Sequence, residues 1–483
     1  MVRPERRTRS DFVAVALILV VVVVVAAVIW WRSDARATAS EPAAAPAPAL
    51  TSPTSVPAAL HELWRASSPA TPVPVIAGST AITGDGGTVS GRDPGTGAVR
   101  WRFSRDLPLC TVGEGWDRAL AVYRKAANCS EVSSLQGDTG VRGPARNADA
   151  PFGTRLLDDG KYVTATGDRV LESWRSDLVR TQQYGIMPAL KNAGNNLRRP
   201  DCTYPSTAVG SERIAVVEDC PEDPEQRITV IKTKPEDDEK PEEVSSAVLG
   251  GSEATAVAVS SKQTAVYVRD RGSLVVYANS TGGIEAEYPL PTGGAPYPNA
   301  GVEAVAADRV WTVNLRPVPG PEQDRAARSI AAALQRFDPT ITAQRVLDGL
   351  ATAGPDRPFR VAVLDDHQYR QVKDKIADVA GATFGGLLYW NNGTTTVALD
   401  AATFAPLWTV PDALGPGALY GGELLVPVPE GIAVLDRFTG ARERVIPVDR
   451  QGWTGPVRLD SAGPIVLEQR GPTSVALGPD RPE

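Results

Sequence analysis

The sequence contains few of the residues on which most catalytic and metal sites depend. Among its 483 residues are only two histidines, His61 and His367, and four cysteines. His61 lies at the edge of the folded region and His367 in a polar run, so we expect both side chains to be solvated. Because histidine is the usual acid–base catalyst and a common metal ligand, histidine-based acid–base or zinc chemistry is not expected.

Sequence motifs of enzymes are also absent. The chain has no C-x-x-C, no haem-attaching C-x-x-C-H, no Walker loop, no G-x-S-x-G nucleophile elbow and no G-x-G-x-x-G dinucleotide fingerprint. Carboxylates are plentiful, but no spacing singles out an acid–base pair. The sequence therefore predicts a protein that is not an enzyme, with no catalytic, cofactor-binding or metal-binding residue and no cofactor.

Excess positive charge is lacking beyond the first few residues. The formal net charge is −7, and residues 1–11 contribute +2 to it, which leaves −9 for the remainder. Nucleic-acid-binding proteins rely on basic patches that neutralise phosphates. We therefore expect no nucleic acid partner.

One long apolar run is present, and it lies near the N-terminus. Residues 12–31, from Phe12 to Trp31, are twenty uncharged residues, mostly Val, Ala, Leu and Ile. At about 1.5 Å per residue, a helix of this length spans the roughly 30 Å core of a bilayer. Trp30 and Trp31 lie at the outer end, where aromatic belts form. Phe12, Trp30 and Trp31 thus mark the predicted membrane anchor.

The charges around this run predict its orientation. Four arginines precede it within residues 1–11, so we expect this basic tail in the cytoplasm and everything after Trp31 outside. The alternative is a cleaved signal peptide, since Ala35-Arg36-Ala37 has a small-x-small pattern. The apolar core of a cleaved signal is about 7–15 residues long. The length of the run therefore favours an uncleaved, single-pass anchor in the cell membrane.

Residues 32–60 form a predicted linker, because from residue 37 onward they are almost wholly Ala, Pro, Ser and Thr. A segment of this composition has little to bury. We expect an extended, partly polyproline tether that lifts the folded domain off the membrane.

Residues 61–477 predict a single all-β domain, and residues 478–483 a short tail. Gly and Pro are abundant, and apolar runs of strand length alternate with turn residues; examples are 119–123, 214–217, 265–268, 387–390 and 424–426. Two stretches, 325–337 and 367–380, have a helical pattern instead. We interpret both as insertions between strands.

A repeated strand–turn–strand unit organises this domain. The unit places an Asp at the end of one strand, a Thr three residues later and a Trp eight residues later, on the next strand. The Asp accepts hydrogen bonds from backbone N–H groups of the turn, and a Gly supplies the positive φ that closes it. The copies are Asp93, Thr96, Gly97 and Trp101; Asp400, Thr403 and Trp408; and Asp436, Thr439 and Gly440, the last without a Trp.

Small antiparallel sheets that recur along a chain are typical of a β-propeller, in which blades pack face to face around an axis. At roughly 50 residues per blade, the domain predicts about seven or eight four-stranded blades. The Trp-bearing segment 61–65 looks like a lone outer strand, and residues 454–477 look like the last strands of the ring. We expect both ends of the domain to pair in one blade, which closes the ring and removes exposed edges.

The unit D-x-x-T-G-x-x-x-W, complete from Asp93 to Trp101 and partial at Asp400 and Asp436, resembles the blade motif of the PQQ-like, quinoprotein-type β-propellers. The resemblance implies that the motif Trp packs between adjacent blades. The arrangement of basic tail, single helix, Ala/Pro linker and propeller is similar to that of single-pass membrane proteins from actinobacteria. Quinoprotein dehydrogenases of this family hold PQQ over two adjacent cysteines, with calcium and an Asp base, whereas this sequence has no Cys-Cys pair.

The four cysteines fall into two similarly spaced pairs. Cys110 and Cys129 are 19 residues apart, Cys202 and Cys220 are 18 apart, and each pair brackets a turn followed by a strand. In an oxidising, extracytoplasmic compartment we expect disulfides, so we predict Cys110–Cys129 and Cys202–Cys220, each closing a hairpin within one blade. The alternative is a metal or redox site, but there is no C-x-x-C and no cluster with histidine.

These observations predict a non-enzymatic, membrane-anchored, extracytoplasmic propeller that acts as a protein-interaction scaffold at the cell envelope. Its partners would be the membrane, through one helix, and envelope proteins. The alternative is a small-molecule-binding sensor or a degenerate quinoprotein-type enzyme that uses the propeller channel. The two hypotheses differ in the channel lining, where converging carboxylates and arginines would favour a ligand site.

Overall fold

The computed structural model of the chain describes residues 8–31, 33, 36–51, 53–186, 199–237, 240–290, 306–307, 310–353 and 359–479. The predicted cytoplasmic tail up to Arg7, residues 480–483 of the C-terminal tail and the side chain of His367 lie outside the described residues. Three elements come first in the chain: helix α1 (Arg9–Trp31) and strands β1 (Thr38–Glu41) and β2 (His61–Ser67).

The next strands form four antiparallel blades of a β-propeller. Blade 1 contains β3 (Val75–Ala77), β4 (Thr80–Asp85), β5 (Thr88–Arg92) and β6 (Val99–Arg105). Blade 2 contains β7 (Leu109–Gly115), β8 (Arg118–Lys125), β9 (Asn128–Gln136) and β10 (Arg142–Ala150). Blade 3 contains β11 (Leu156–Asp158), β12 (Val163–Ala165), β13 (Val170–Trp174) and β14 (Arg180–Gly185). Blade 4 contains β15 (Thr203–Gly210), β16 (Arg213–Asp219), β17 (Arg227–Lys232) and β18 (Glu243–Val248).

The second half of the chain completes the ring and carries an insertion. Blade 5 contains β19 (Ala254–Val259), β20 (Gln263–Val268), β21 (Ser273–Ala278) and β22 (Ile284–Pro289). Blade 6 begins with β23 (Ala306–Ala307), which is followed by an inserted unit of β24 (Val310–Leu315), α2 (Pro321–Leu334), α3 (Ala343–Leu350), β25 (Phe359–Asp365), α4 (Asp366–Ala377) and β26 (Ala382–Gly385). Blade 6 continues with β27 (Leu387–Asn391), β28 (Thr396–Asp400) and β29 (Pro406–Val410). Blade 7 contains β30 (Ala418–Tyr420), β31 (Glu423–Val428), β32 (Gly431–Leu435) and β33 (Arg442–Pro447), and blade 8 contains β34 (Val457–Ala462), β35 (Ile465–Arg470) and β36 (Thr473–Gly478).

The N-terminal strand β2 closes the ring by becoming the outermost strand of blade 8. It pairs antiparallel with β36, from His61 opposite Gly478 to Ser67 opposite Thr473. The predicted closure of the ring by both ends of the domain is therefore confirmed, and the propeller has eight blades. The closure leaves the last strand with a partner instead of an exposed edge.

The position of a strand within its blade determines how its residues are buried. The middle strands lie between neighbouring blades on both faces, so β21 and β32 are buried along their whole length. The outermost strands β22 and β33 are mostly exposed, because only one side of them meets a neighbour. The continuous Val, Ile, Leu and Ala runs of the sequence thus mark the middle strands.

The apolar core of the propeller is divided into clusters between adjacent blades. The cluster between blades 1 and 2, for example, joins Val89 and Trp101 to Val112, Ala121 and Leu135. A cluster between blades 6 and 7 is built in the same way, from the facing sides of the middle strands. Face-to-face packing of small sheets explains why each blade depends on its neighbours for stability.

The alternation of strands gives the propeller two faces with different roles. One face carries the connections between blades, such as 106–108, and the turns between second and third strands, such as 126–127. We call it the anchor face. We call the face that carries the other turns, such as 93–98 and 116–117, the insert face, since the insertion joins a first strand to a second strand there. Strand β1 runs antiparallel to β6, so the chain following helix α1 reaches the propeller at the anchor face.

The insertion in blade 6 is a small α+β unit with its own core. Its sheet has the order β25-β24-β26, and α2, α3 and α4 pack against it. Buried members of this core include Val313, Ile330, Leu334 and Val346. The two helical stretches that the sequence indicated correspond to α2 and α4, whereas α3 and the three strands were not predicted. The insertion connects β23 to β27, which pair as neighbours in blade 6.

The predicted tether does not lift the domain away from the anchor, because residues 38–51 and 53–60 pack along the propeller as a strap. Strand β1 of this strap pairs with β6 of blade 1, from Thr38 opposite Arg105 to Glu41 opposite Arg102. The strap then crosses the insert face, where a Cβ added to Gly463 or Gly421 would come within 3.0 Å of Leu50 or Ser55. Backbone carbonyls of the strap also accept hydrogen bonds from Arg100 and Arg444. Composition alone did not reveal these contacts.

Candidate functional site

The repeated Asp residues organise three equivalent turns between third and fourth strands. The Asp93 Oδ1 accepts hydrogen bonds from the backbone N of Gly95 (3.1 Å) and from the backbone N and Oγ1 of Thr96 (both 2.9 Å). The chain then passes through Gly97 with a φ of 72°. Asp400 with Thr403, and Asp436 with Thr439, repeat these bonds at 2.7–3.0 Å. The three Asp carboxylates therefore stabilise the turns.

Tryptophan side chains of outermost strands fasten the turns between third and fourth strands of blades 1, 2 and 7 to the preceding blade. The Trp101 Nε1 donates to the carbonyl O of Gly137 in blade 2 at 2.7 Å, and Trp408 donates to Phe438 in blade 7 at 3.1 Å. Trp64 on β2 donates to Pro94 in blade 1 at 2.7 Å. We call this contact, an indole N–H bonded to the next blade's turn, a Trp latch. The indoles lie between blades, as the family resemblance implied.

Each latch requires a turn residue without a side chain. A Cβ at Gly97, Gly140 or Gly440 would come within 2.5–2.6 Å of the ring of Trp64, Trp101 or Trp408, respectively. These glycines also have φ of 70–72°. The glycine of the motif is thus needed twice, for its positive φ and for the close approach of the indole.

Blades 5 and 6 meet without a Trp latch. On β6, Trp101 lies opposite the third-strand residue that is two positions before the turn. On β22, Ala286 occupies the equivalent position. Phe404 replaces the motif glycine in the turn after Asp400; it has a φ of 57° and its side chain is 1% exposed. A large side chain on the turn therefore fills the space that a small residue on the strand leaves.

The structure contains both predicted disulfides, and each lies within one blade at the anchor face. Cys202 and Cys220 flank the paired ends of β15 and β16, so this bond closes a hairpin. Cys110 lies on β7 and Cys129 on β9, which are separated by β8. The prediction that both bonds close hairpins is therefore wrong in this one respect, since Cys110–Cys129 joins the first strand to the third.

A buried ionic cluster lies between blades 3 and 4, beside the Cys202–Cys220 disulfide. The side chain of Glu218 is fully buried. It accepts hydrogen bonds from the Tyr184 hydroxyl, from Arg199 Nε at 2.8 Å and from Thr229 Oγ1 at 2.6 Å. Arg199 also donates to Glu243 at 3.0 Å. Its members come from separate parts of the chain, so no local pattern in the sequence indicates them.

The environment of this cluster shifts the ionisation of its members. The ring of Tyr204 stacks on that of Tyr184, with 5.4 Å between their centroids. Burial raises the pKa of both tyrosines, and the charge of Glu218 raises it further. Burial alone would lower the pKa of Arg199, but Glu218 and its other partners hold it above its ordinary value. Because both oxygens of Glu218 already accept hydrogen bonds, the carboxylate has a structural role.

A second buried carboxylate has similar surroundings between blades 7 and 8. Glu468 accepts from Arg450 Nη2 at 2.9 Å and from Arg470 Nε at 2.6 Å. Arg450 also donates to the carbonyl groups of Val428 and Gly431. Within the described residues, no group of three or more His, Cys, Asp and Glu is arranged to hold a metal ion.

The insertion approaches the propeller at the turn of blade 7. The guanidinium of Arg360 on β25 lies 3.8 Å from the ring centroid of Phe438, and Arg437 lies 4.6 Å from it. Burial alone would raise the pKa of Asp436 in the same turn, but hydrogen bonds from Thr439 and Phe438, with the charge of Arg360, lower it. A motif turn therefore supports the inserted unit from the insert face.

The outer side of the insertion carries exposed basic residues. Arg325, Arg328 and Arg336 are exposed on or just after α2, while Ala327, Ile330 and Leu334 are buried on its other side. Their spacing places the arginines along one stripe of the helix. This stripe is basic, although the chain beyond residue 11 is acidic overall. The stripe follows the first turn of α2, which carries the exposed acidic residues Glu322 and Asp324.

The predicted anchor residues lie on a single exposed helix. Phe12, Trp30 and Trp31 are 61–66% exposed on α1, which is long and apolar enough to cross a membrane. After the helix, Arg36 lies over the ring of Trp31, with its guanidinium 3.7 Å from the centroid. A shallow cleft of about 400 Å³ separates this end of the helix from Arg105, Asp106 and Leu107 of blade 1.

Comparisons with known proteins find similar folds only. No protein-family model matches the chain, and no curated protein is similar to it. Similar solved structures include BamB from Moraxella catarrhalis, with 12% identity and a TM-score of 0.43 over 87% of this chain and 99% of that chain. They also include the computationally designed Ika8 protein, with 12% identity and a TM-score of 0.46 over 86% and 98% of the two chains.

A quinohemoprotein alcohol dehydrogenase from Comamonas testosteroni is a further similar structure. It has 11% identity and a TM-score of 0.41 over 88% of this chain and 78% of that chain. Likenesses at this level carry no argument about function. The eight-bladed propeller is established by the pairing of its own strands. Among the described residues, one helix before it is long and apolar enough to cross a membrane.

Proposed function

We propose that the protein is a non-enzymatic scaffold of the cell envelope, held in the membrane by α1, with the propeller outside the cytoplasm. In this proposal the propeller is of the PQQ-like type, and the inserted unit is its recognition surface. The observation that carries the proposal is the placement of the insertion. It lies on the face opposite the one where the chain from α1 arrives.

The chemistry of the insertion indicates the kind of partner. The stripe of Arg325, Arg328 and Arg336 is exposed on a rigid helix, and arginine is enriched at protein interfaces because its planar donors pair with carboxylates. An acidic surface of another envelope protein would fit this stripe. The mixed charges on the rest of the propeller would influence only the approach of a partner from a distance.

The inserted unit offers a direct test, because it can be removed without breaking blade 6. Ala307 on β23 pairs with Leu388 on β27, so continuing the same register would place position 308 opposite position 387. Replacing residues 309–386 with Asn-Gly would therefore join the two strands by a two-residue hairpin turn without changing their register. Proximity labelling in the native membrane would compare the full chain, this deletion and a chain that ends after α1. We expect a set of envelope proteins labelled by the full chain and lost in the deletion.

Charge reversal separates a role of the stripe from a role of the insertion as a whole. Arg325→Glu with Arg328→Glu should reduce labelling of the same proteins by about ten-fold or more, given roughly 1 kcal/mol for each interface charge pair. Arg102→Glu with Arg142→Glu, at exposed positions of blades 1 and 2, changes the net charge equally and should have little effect. Equal labelling by the full chain and the anchor alone would instead favour a small-molecule ligand of the propeller channel.

A further inference from the structure

The strap determines how close the propeller lies to the end of the anchor. Six residues, 32–37, separate Trp31 from strand β1. The backbone N of Asp106 in blade 1 donates to the carbonyl O of Ala37 at 3.1 Å, directly before that strand. The tether that composition predicted would have allowed the domain to move freely, whereas this pairing fixes one edge of the anchor face beside the helix end.

A ridge on blade 2 continues from this attachment point. The carbonyl O of Pro108 accepts a hydrogen bond from the backbone N of Arg124 at 2.8 Å. The Arg124 guanidinium in turn lies 4.4 Å from the ring centroid of Phe152. We call residues 124–127 together with Phe152 the blade 2 ridge. Its side chains are exposed, and Phe152 is 51% exposed.

The composition of the ridge matches a membrane interface. It combines an exposed aromatic ring, two small apolar residues (Ala126 and Ala127) and the cations of Arg124 and Lys125. Aromatic rings and basic side chains with long apolar stems favour the headgroup region, and anionic lipids attract such cations. Lys125 forms an ion pair with Glu131 at 3.1 Å, so Arg124 is the principal basic group here.

Other parts of the anchor face have the opposite character. The corresponding turn of blade 4, residues 221–225, carries Glu222, Asp223 and Glu225, of which Asp223 pairs with Arg227. Anionic headgroups would repel this edge. The anchor face therefore has a basic, aromatic ridge at blade 2, next to the attachment of the strap, and an acidic turn at blade 4.

We propose that the blade 2 ridge contacts the headgroups of an anionic bilayer and acts as a second membrane contact beside α1. The propeller then sits tilted, with blade 2 against the lipid, blade 6 away from it, and the inserted unit directed outward. This inference rests on the membrane anchoring in the proposed function, but not on any protein partner.

Spin labels on the full chain in lipid nanodiscs would test this contact. All four cysteines are in disulfides, so a single added cysteine is the only free thiol. Ala127→Cys places a label on the ridge and keeps Arg124 and Phe152. Matched labels are Thr394→Cys in the second turn of blade 6, on the same face, and Val179→Cys on the insert face. Phe12→Cys reports whether α1 is inserted.

In nanodiscs of phosphatidylcholine with phosphatidylglycerol, we expect the label at 127 to collide more with oxygen than with a water-soluble nickel chelate. Labels at 394 and 179 should show the reverse. Arg124→Glu should reduce the lipid-bound fraction at 127 by at least about five-fold, as expected for removal of one basic charge near the surface, and Phe152→Ser should reduce it as well.

Two results would overturn the inference, and they differ in meaning. If the label at 127 is as exposed to water as that at 394 while the label at 12 is in lipid, the anchor is right and the second contact is wrong. If the label at 12 is itself in water, the anchoring fails and the ridge contact fails with it. Neither result bears on labelling of partner proteins.

Discussion

The junction between blades 1 and 2 and the junction between blades 3 and 4 hold neighbouring blades together by different means. At the first, the indole of Trp101 is 1% exposed, packs on Gly140 and donates one hydrogen bond to a turn carbonyl. At the second, Glu218 and Arg199 form a buried ionic cluster with Tyr184, and a disulfide lies beside them. The latch relies on burial of apolar area, whereas the cluster relies on matched charges.

This difference explains which junctions the sequence reveals. A latch needs an Asp, a Thr, a Gly and a Trp at fixed spacing in one strand–turn–strand unit, so it repeats visibly along the chain. The ionic cluster needs groups from four strands and a connecting segment, at no fixed spacing. Its energetic value also depends on complete pairing, because a buried charge without a partner is strongly unfavourable.

The largest effect is expected from removing the strand that closes the ring. Deleting residues 61–66 removes most of β2 and the Trp64 latch together. Truncation of a fully buried Trp costs about 3–5 kcal/mol. Trp64 is only partly buried, but its strand pairing with β36 is lost as well, so the free energy of unfolding should fall by about 5 kcal/mol or more. Thermal melting followed by circular dichroism measures the change. A variant in which a Gly/Ser segment of equal length replaces residues 61–66 should be equally destabilised. An unchanged melting curve would show that closure does not stabilise the ring.

Trp101→Ala should be the next most damaging change. It leaves a cavity between blades 1 and 2 and the Gly137 carbonyl without its donor, at a cost of about 3–5 kcal/mol. Trp408→Ala should cost less, because Trp408 is only partly buried in its latch. Trp101→Phe should lose about 1 kcal/mol for the hydrogen bond, together with the cost of a smaller ring. Denaturant unfolding gives all three values, and equal losses for Trp101→Ala and Trp408→Ala would contradict the latch argument.

Breaking the ionic cluster should have a somewhat smaller effect. Glu218→Leu removes the main partner of Arg199, but Arg199 keeps Glu243, so we expect a loss near the lower end of the range, about 3 kcal/mol. Glu218→Leu with Arg199→Met should be less destabilised than either single variant, since no buried charge lacks a partner. The same denaturant titration checks this order. If the double variant is the least stable, the cluster contributes net stability and the comparison must be revised.

The smallest expected effect is a difference between the two junctions in how stability depends on pH. The pKa of Tyr184 is raised in the folded protein, so above the ordinary tyrosine pKa of about 10 the unfolded chain loses its proton first and stability falls. Tyr184→Phe should begin about 1.5–3 kcal/mol lower because the bond to charged Glu218 is lost, but its stability should decline less steeply above pH 10. Trp101→Phe should keep the slope of the unaltered chain, because an indole does not titrate in this range.

Much of the fold could be predicted from the sequence, for physical reasons that are local. The apolar run ending at Trp31 predicts a helix because only a helix satisfies its own backbone in lipid. The turns at Asp93, Asp400 and Asp436 are fixed by bonds between residues two or three apart. The similar spacing of the cysteines led to both disulfides. The candidate recognition surface was only partly visible, as two helical stretches without their sheet.

The rest could not be predicted, because it depends on contacts between distant residues. The strap has the composition of a free tether, and only the exposed edge of β6 gives it a partner. Phe404 reads as an ordinary aromatic residue, and only the small Ala286 across the junction explains its burial. Helix α3 is too short to be identified from periodicity, although Thr342 caps it by accepting from Arg345 N at 3.2 Å.

The sequence by itself determined that this chain is a repetition of small sheets that follows one apolar helix, since strand periodicity, turn chemistry and bilayer thickness act on neighbouring residues. Only the tertiary structure decided which edge of the ring meets the anchor, which junctions are ionic and which face carries the insertion. Those features depend on the face at which each antiparallel strand ends and on the register of β1 on β6. Neither can be recognised in a single run of residues. The placement of the anchor and the insertion relative to the ring is therefore known only from the three-dimensional structure.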